Sequence, residues 1–324
     1  MASSEATIAS AANADRLSVR PLTTYLALLG GVFGISFTAI FTKWAAVPGP
    51  VAGAYRMTIA ACILAVPFAL RLAGRRRALR SAAATGNSAA AVILPWPVAG
   101  IAGLGGVWFG VNLAFLSSAL LLTSAATATL LDNTAPIWVG IGAVLLFHER
   151  LGGRYWLGLA LALTGAAVVS GLNPSHSFVF QRGDLLAFVG AIFYAAYLLT
   201  TQRARSGLDT VSTLWLIEAG AAITLLVLVA VMGLPLTGYP LRSYLALVGV
   251  AVISQTVGWL LINYALGYLP ASSAVVALLA QPIITSLLSI PLLGEGLAWH
   301  QIAGGVLVLT GIYLCVRQNM VRSQ

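Results

Sequence analysis

Charge is what this sequence has least of. Of its 324 residues only 8% are Asp, Glu, Lys or Arg and 60% are hydrophobic, where soluble domains carry about 25% charge. So few charges cannot cover the surface of a water-soluble fold of this length, which excludes a soluble enzyme. The same numbers exclude bulk disorder. Cysteine is nearly absent: Cys62 and Cys315 both sit in apolar runs, so neither a disulfide framework nor a thiolate metal site is available. His148, His176 and His300 are scattered, and no second His follows His148-Glu149 at metal-binding spacing. The P-loop, G-x-S-x-G and H-E-x-x-H patterns are missing. No ATP-driven motor, hydrolase or metal chemistry is therefore expected from this chain, and no cofactor.

Long apolar runs are abundant. A span needs about 20 mostly apolar residues to cross roughly 30 Å of hydrocarbon. Ten runs qualify: 23–44, 51–70, 97–119, 124–147, 154–172, 184–202, 211–232, 242–266, 272–293 and 299–317. They do not alternate as barrel strands do. Backbone groups in lipid must pair within their own segment, so ten helices follow.

The net charge of +9 could suggest nucleic acid, but its placement points to topology. With the amino end in the cytoplasm, the inner side holds Arg16, Arg20, Arg71, Arg75, Arg76, Arg77, Arg80, Arg150, Arg154, Arg203, Arg205, Arg317 and Arg322. The outer side holds only Lys43, Arg182 and Arg242. This asymmetry puts both termini in the cytoplasm. The run 71–80 then reads as a topology anchor near anionic lipid, followed by a weakly structured loop at 80–91. Residues 1–21 and 319–324 read as cytoplasmic tails.

A shift of 146 residues matches the chain to itself without a gap. It pairs Pro136 with Pro282, Leu146 with Leu292, Glu149 with Glu295, Gly158 with Gly304 and Gly165 with Gly311. The repeated unit holds five spans, an odd number, so the second copy sits upside down relative to the first. The domains are then 22–172 and 173–318. Inverted repeats are the architecture of alternating-access carriers, whose site lies near the midplane between the copies.

The segments TAPIWVGIGAVLLFHERLGGRYWLGLALALTGA (134–166) and AQPIITSLLSIPLLGEGLAWHQIAGGVLVLTGI (280–312) each give a Pro-centred helix, a Glu at its end and a Gly-rich helix. With GGVFGISFTAIFTKWA (30–45) and AYRMTIAA (54–61), they resemble the EamA family of the drug/metabolite transporter superfamily. The resemblance covers about residues 22–317. It implies an all-α polytopic membrane protein of ten helices in two inverted five-helix repeats, exporting small metabolites. The aromatic content resembles the YddG-like aromatic amino-acid exporters within that family.

Polar groups inside spans are costly and tend to be functional. Asp132 lies mid-span, four residues before Pro136, where proline frees the carbonyl of residue 132. It reads as an amine or proton site, or else as a carboxylate paired with Arg56 or bonded to Asn133 and Thr129. Its counterpart in the second copy is Leu278, so symmetry does not demand the charge. Glu218 reads as a charge-coupling residue or a group near the inner interface. Arg56 reads as a coupling or carboxylate-binding group, a snorkelling side chain or half of an ion pair. Pro136 and Pro282 are candidate hinges. Gln255, Trp259 and Asn263 fall on one helical face, as do Trp108, Asn112 and Phe115, and Tyr194, Tyr197 and Thr201. With Gln281 they are candidate cavity residues: amides hold the head of an amino acid and rings stack on its side chain. Gly30/Gly34 and Gly106/Gly110 read as close helix contacts.

The expected protein is a secondary transporter of the bacterial cytoplasmic membrane that exports small metabolites, above all aromatic or neutral amino acids. Its expected partners are that metabolite and the bilayer, with no nucleic acid, and a monomer suffices. Two alternatives stand beside it: a drug or organic-cation exporter with Asp132 as counter-charge, and a passive channel.

Overall fold

The computed structural model of the protein describes residues 21–84, 94–120, 122–123, 125–170, 181–294, 296 and 298–322. The expected tail over residues 1–20, the 172/173 repeat boundary and Glu295 lie outside them. The described chain is helical throughout: α1 (Pro21–Ala45), α2 (Gly49–Ala84), α3 (Trp96–Ala119), α4 (Ala125–Asp132), α5 (Ala135–Phe147), α6 (Gly153–Val169), α7 (Arg182–Arg205), α8 (Thr210–Val231), α9 (Leu241–Gly249), a π-helical segment (Val250–Gly258), α10 (Trp259–Ala265), α11 (Ala271–Leu278), α12 (Gln281–Leu293) and α13 (Trp299–Arg322). Eight apolar helical stretches are long enough to cross a membrane, and Gly153–Val169 and Trp299–Cys315 are shorter apolar helices.

Apolar exposure is what identifies the surroundings. Leu145, Leu157, Val231, Leu241 and Leu245 are all more than half exposed. In water such a band would drive aggregation; against acyl chains it is the required outer surface. The polar side chains go inward instead, with Asn112, Glu218, Gln255 and Asn263 almost wholly buried.

Four elements depart from the sequence expectation. The loop expected over 80–91 does not begin at residue 80, because α2 runs through the basic segment 71–80 to Ala84, and the Ala, Leu and Arg residues of that segment are strong helix formers; residues 85–91 lie outside the described residues. The fourth and ninth spans are not single kinked helices. Each is two half-helices, interrupted at residues 133–134 and 279–280. Pro136 and Pro282 stand second in their half-helices, where their missing N–H costs nothing. The interruption turns inside the protein, where irregular backbone can be satisfied: the Thr134 hydroxyl donates to the Leu131 carbonyl at 2.6 Å. The eighth span is α-helical only at its ends. In its π segment the Thr256 hydroxyl donates to the Ala251 carbonyl five residues back, at 2.8 Å.

Glycine sets the closest packing. α6 and α13 run antiparallel with Gly158 against Gly311 and Gly165 against Gly304; a Cβ on Gly165 would stand 2.6 Å from the Gly304 carbonyl oxygen. Gly106 lies against Ile217 and Gly220 of α8, Gly110 against Thr224, and Gly34 against Gly258. Beyond these contacts, α3 packs on α7, α2 on α8, and α1 on the eighth span.

Candidate functional site

Where α1, α2, α3, α7, α10 and the two broken helices meet, a cavity of about 170 Å³ opens between them. At roughly 30 Å³ per water, that is room for a small solute. Its polar lining is Thr38, Arg56, Asn112, Asp132, Asn133, Tyr194 and Gln281, and its rings are Phe109, Tyr194 and Trp259. Ile35, Leu113, Leu116, Pro136, Val275, Leu278 and Leu279 complete it.

The half-helix break delivers Asp132. It is the last residue of α4, and its Oδ1 accepts a hydrogen bond from Asn112 Nδ2 at 2.7 Å. That amide also donates to the Gly190 carbonyl at 3.1 Å, so Asn112 ties α4 and α7 to α3. The carboxylate is held neither by Arg56 nor by Asn133 or Thr129, the partners foreseen from the sequence. A side chain one span away reaches it first, because the break turns Asp132 inward toward α3.

Arg56 comes from the second turn of α2. Its guanidinium lies 5.8 Å from the centroid of the Phe109 ring. Its Nε is buried without a hydrogen-bond partner. It makes none of the ion pairs seen for Arg71 and Arg75, which pair with Asp209 at 3.1 and 2.9 Å. The cavity thus carries one cation and one carboxylate that do not neutralise each other directly.

The other sequence candidates divide between lining and support. Gln281 lines the cavity and donates to the Ile35 carbonyl at 3.3 Å, while Thr285 donates to the Ser36 carbonyl at 3.0 Å. Trp259 and Tyr194 line it as well. Tyr197 stands behind, its ring stacked on Phe109 at 4.4 Å and edge-on to Trp259 at 5.4 Å. Trp108 turns to Phe193, at 5.4 Å. Asn263 donates to the Trp259 carbonyl at 3.1 Å and does not line the cavity. Gln255 donates to Glu218 Oε1 at 2.8 Å, both side chains fully buried. The stripe of Gln255, Trp259 and Asn263 therefore sends one member to the cavity; the π segment breaks the register between Gln255 and Trp259, and Asn263, on the same α-helix as Trp259, turns back to that residue's carbonyl. Pro136 touches the cavity and Pro282 does not. Phe109, Thr38 and Asn133 were not foreseen. Phe109 had one signal, its place one turn before Asn112.

At the end of the bundle where α2 extends, Asp209 caps α8 and binds Arg71 and Arg75. Burial pushes its carboxyl pKa up, but hydrogen bonds from Ser212 and the two guanidinium groups outweigh that and hold it below the usual carboxylate range.

A helical bundle with an apolar outer surface around a cavity lined by polar and aromatic side chains is a multi-pass membrane protein. The chain matches the EamA-like transporter family over residues 22–171 and 181–317, nearly its whole length, and belongs to that family of membrane transporters. Among the solved structures that match, a crystal structure with a TM-score of 0.71 and 21% sequence identity, covering 94% of this chain and 100% of that one, shares the fold. No curated protein matches the chain.

Proposed function

We propose that the protein exports small zwitterionic metabolites, neutral and aromatic amino acids, across the bacterial cytoplasmic membrane by alternating access. The observation that carries this reading is the cavity's balanced and unpaired charge. Arg56 supplies a guanidinium for a substrate carboxylate, and Asp132, held by Asn112, supplies a carboxylate for its ammonium. Each charge-assisted bond is worth roughly 1.5–3 kcal/mol. A ring of Phe109, Tyr194 or Trp259 facing the ammonium adds about 0.5–2 kcal/mol. An organic cation would meet Arg56, and a simple anion would meet Asp132, so the second reading as an organic-cation exporter fits this lining less well.

Alternating access draws on two inverted units, 22–172 and 173–318. In support, the packing pairs elements as a two-fold axis in the membrane plane requires. The first span packs on the eighth as the third does on the sixth, the second on the seventh, and the fifth on the tenth through repeat-related glycines. The Asp209 pairs gather the inner ends of α2 and α8 on one side, in keeping with cytoplasmic termini. Pro136 and Pro282, at equivalent breaks, are the hinges on this reading.

Counterflow in proteoliposomes, with labelled substrates running from alanine to tryptophan beside a quaternary ammonium and a dicarboxylate, tests it. Neutral and aromatic amino acids are expected to exchange. Movement of the quaternary ammonium alone would overturn the reading.

A further inference from the structure

Glu218 lies outside the cavity lining, and its oxygens are unevenly served. Oε1 accepts from Gln255 Nε2 at 2.8 Å, whereas Oε2 is buried with no partner. Gln255 Oε1 is likewise buried with no partner. An ionised carboxylate in this place would leave charge on a naked oxygen, and an unsatisfied buried charge is costly. A neutral acid removes both defects at once. Its O–H would serve as the donor that the amide oxygen lacks, while the amide N–H still donates to the acid, making an acid–amide pair. The Gln255 side of that pair hangs from the π segment, and π turns concentrate at functional places.

The charged and titratable groups within electrostatic reach of Glu218 are Arg56 from α2 and Tyr197 from α7. α3 carries no ionisable side chain. The single ionisable group of α10, Tyr264, packs instead against Tyr268 at 5.0 Å. The cation within reach of Glu218 is therefore the one that lines the cavity. A substrate carboxylate on Arg56 withdraws that positive charge from Glu218 and favours its protonated form. By reciprocity, a proton on Glu218 leaves Arg56 free for the substrate.

Resting on the transporter reading above, we propose that Glu218 is a proton-binding site that loads together with the substrate, so that one proton accompanies each zwitterion in the same direction. On the loading side the carboxylate takes a proton from water; on the release side the O–H bond breaks and the proton returns to water. Export then runs down the substrate's own gradient and carries protons out with it.

Proteoliposomes loaded with labelled alanine or phenylalanine and a lumenal pH dye test this. As substrate leaves the wild type, the lumen is expected to turn alkaline. Glu218→Gln, which mimics the neutral acid, should lose the dye signal per substrate moved, measured against the variant's own efflux. Glu218→Asp should retain the signal at a lower rate. A full dye signal from Glu218→Gln overturns the proposal. So does wild-type efflux with no pH change or with lumenal acidification, a result that needs no variant to fold. Absence of any wild-type counterflow overturns the amino-acid reading first, and this proposal with it.

Discussion

Ala125–Phe147 and Ala271–Leu293 share one backbone and differ in chemistry. In each, an eight-residue half-helix is followed by a break, a proline at the second position of the next half, and a left-handed residue at the end, His148 and Gly294. The side chains at the break diverge. The first copy presents Asp132 and Asn133 to the cavity, the second Leu278 and Leu279. The third and eighth spans differ in the same way, Asn112 on a regular helix corresponding to Gly258 at the end of the π segment. The break thus needs proline and an enclosed turn, not charge. Shared backbone builds the scaffold, and the polar groups of the cavity are placed unequally on top of it.

If the scaffold is shared, damage to equivalent glycines should be equal and large. Gly165→Leu and Gly311→Leu are the test. A Cβ at Gly165 would stand 2.6 Å from Val308 N, and one at Gly311 would stand 2.5 Å from Ala162 N. Backbone cannot yield as a side-chain tip can, so the cost exceeds the roughly 1–3 kcal/mol of ordinary overpacking. Both variants are expected to be lost from the monodisperse peak in detergent chromatography. Gly153→Ala, with nothing within 4 Å of its Cβ, should elute as wild type. Survival of one leucine variant but not the other would break the equivalence.

If the chemistry is not shared, the break residues should respond unequally. Asp132→Asn keeps the shape and removes the charge that the substrate ammonium would meet. Losing a charge-assisted bond of about 1.5–3 kcal/mol lowers affinity roughly 10- to 150-fold. Leu278→Ala, at the equivalent position, should change counterflow affinity less than about fivefold, since it removes packing alone. Competition counterflow with unlabelled amino acid reads both values. Equal effects would place the substrate elsewhere in the bundle.

Some of this was legible in the residues and some was not. The spans announced themselves through apolar length, and the repeat through one offset that pairs Pro136 with Pro282 and Gly165 with Gly311. Asp132 stood out because a charge in a span is rare. What the sequence hid was set by irregular backbone. Periodicity arguments assume a constant turn, so they could not see that residues 133–134 end one helix and start another, or that Val250–Gly258 winds more widely than an α-helix. Those two departures decide that Asn112 reaches Asp132 and that Gln255 goes to Glu218. The partner of a polar group in a bundle lies on another span, and spacing within one span carries no record of it.

The smallest effect concerns the helix ends. His148 and Gly294 adopt the same left-handed conformation, φ 55° and 69°, at equivalent positions. Glycine reaches it freely, whereas a Cβ there is crowded against the following carbonyl oxygen at a cost of roughly 1–2 kcal/mol. His148→Gly should relieve that strain. The gain is partly offset because glycine loses more chain entropy on folding, about 0.5–1 kcal/mol. The His148 side chain is exposed, so little contact is lost with it. The net expectation is a stabilisation of no more than about 1 kcal/mol. Gly294→Ala should destabilise by a similar amount, for both reasons reversed. Thermal unfolding of the two variants in one detergent measures the pair. A His148→Gly protein less stable than wild type would mean that the imidazole contributes more at this end of α5 than its exposure allows.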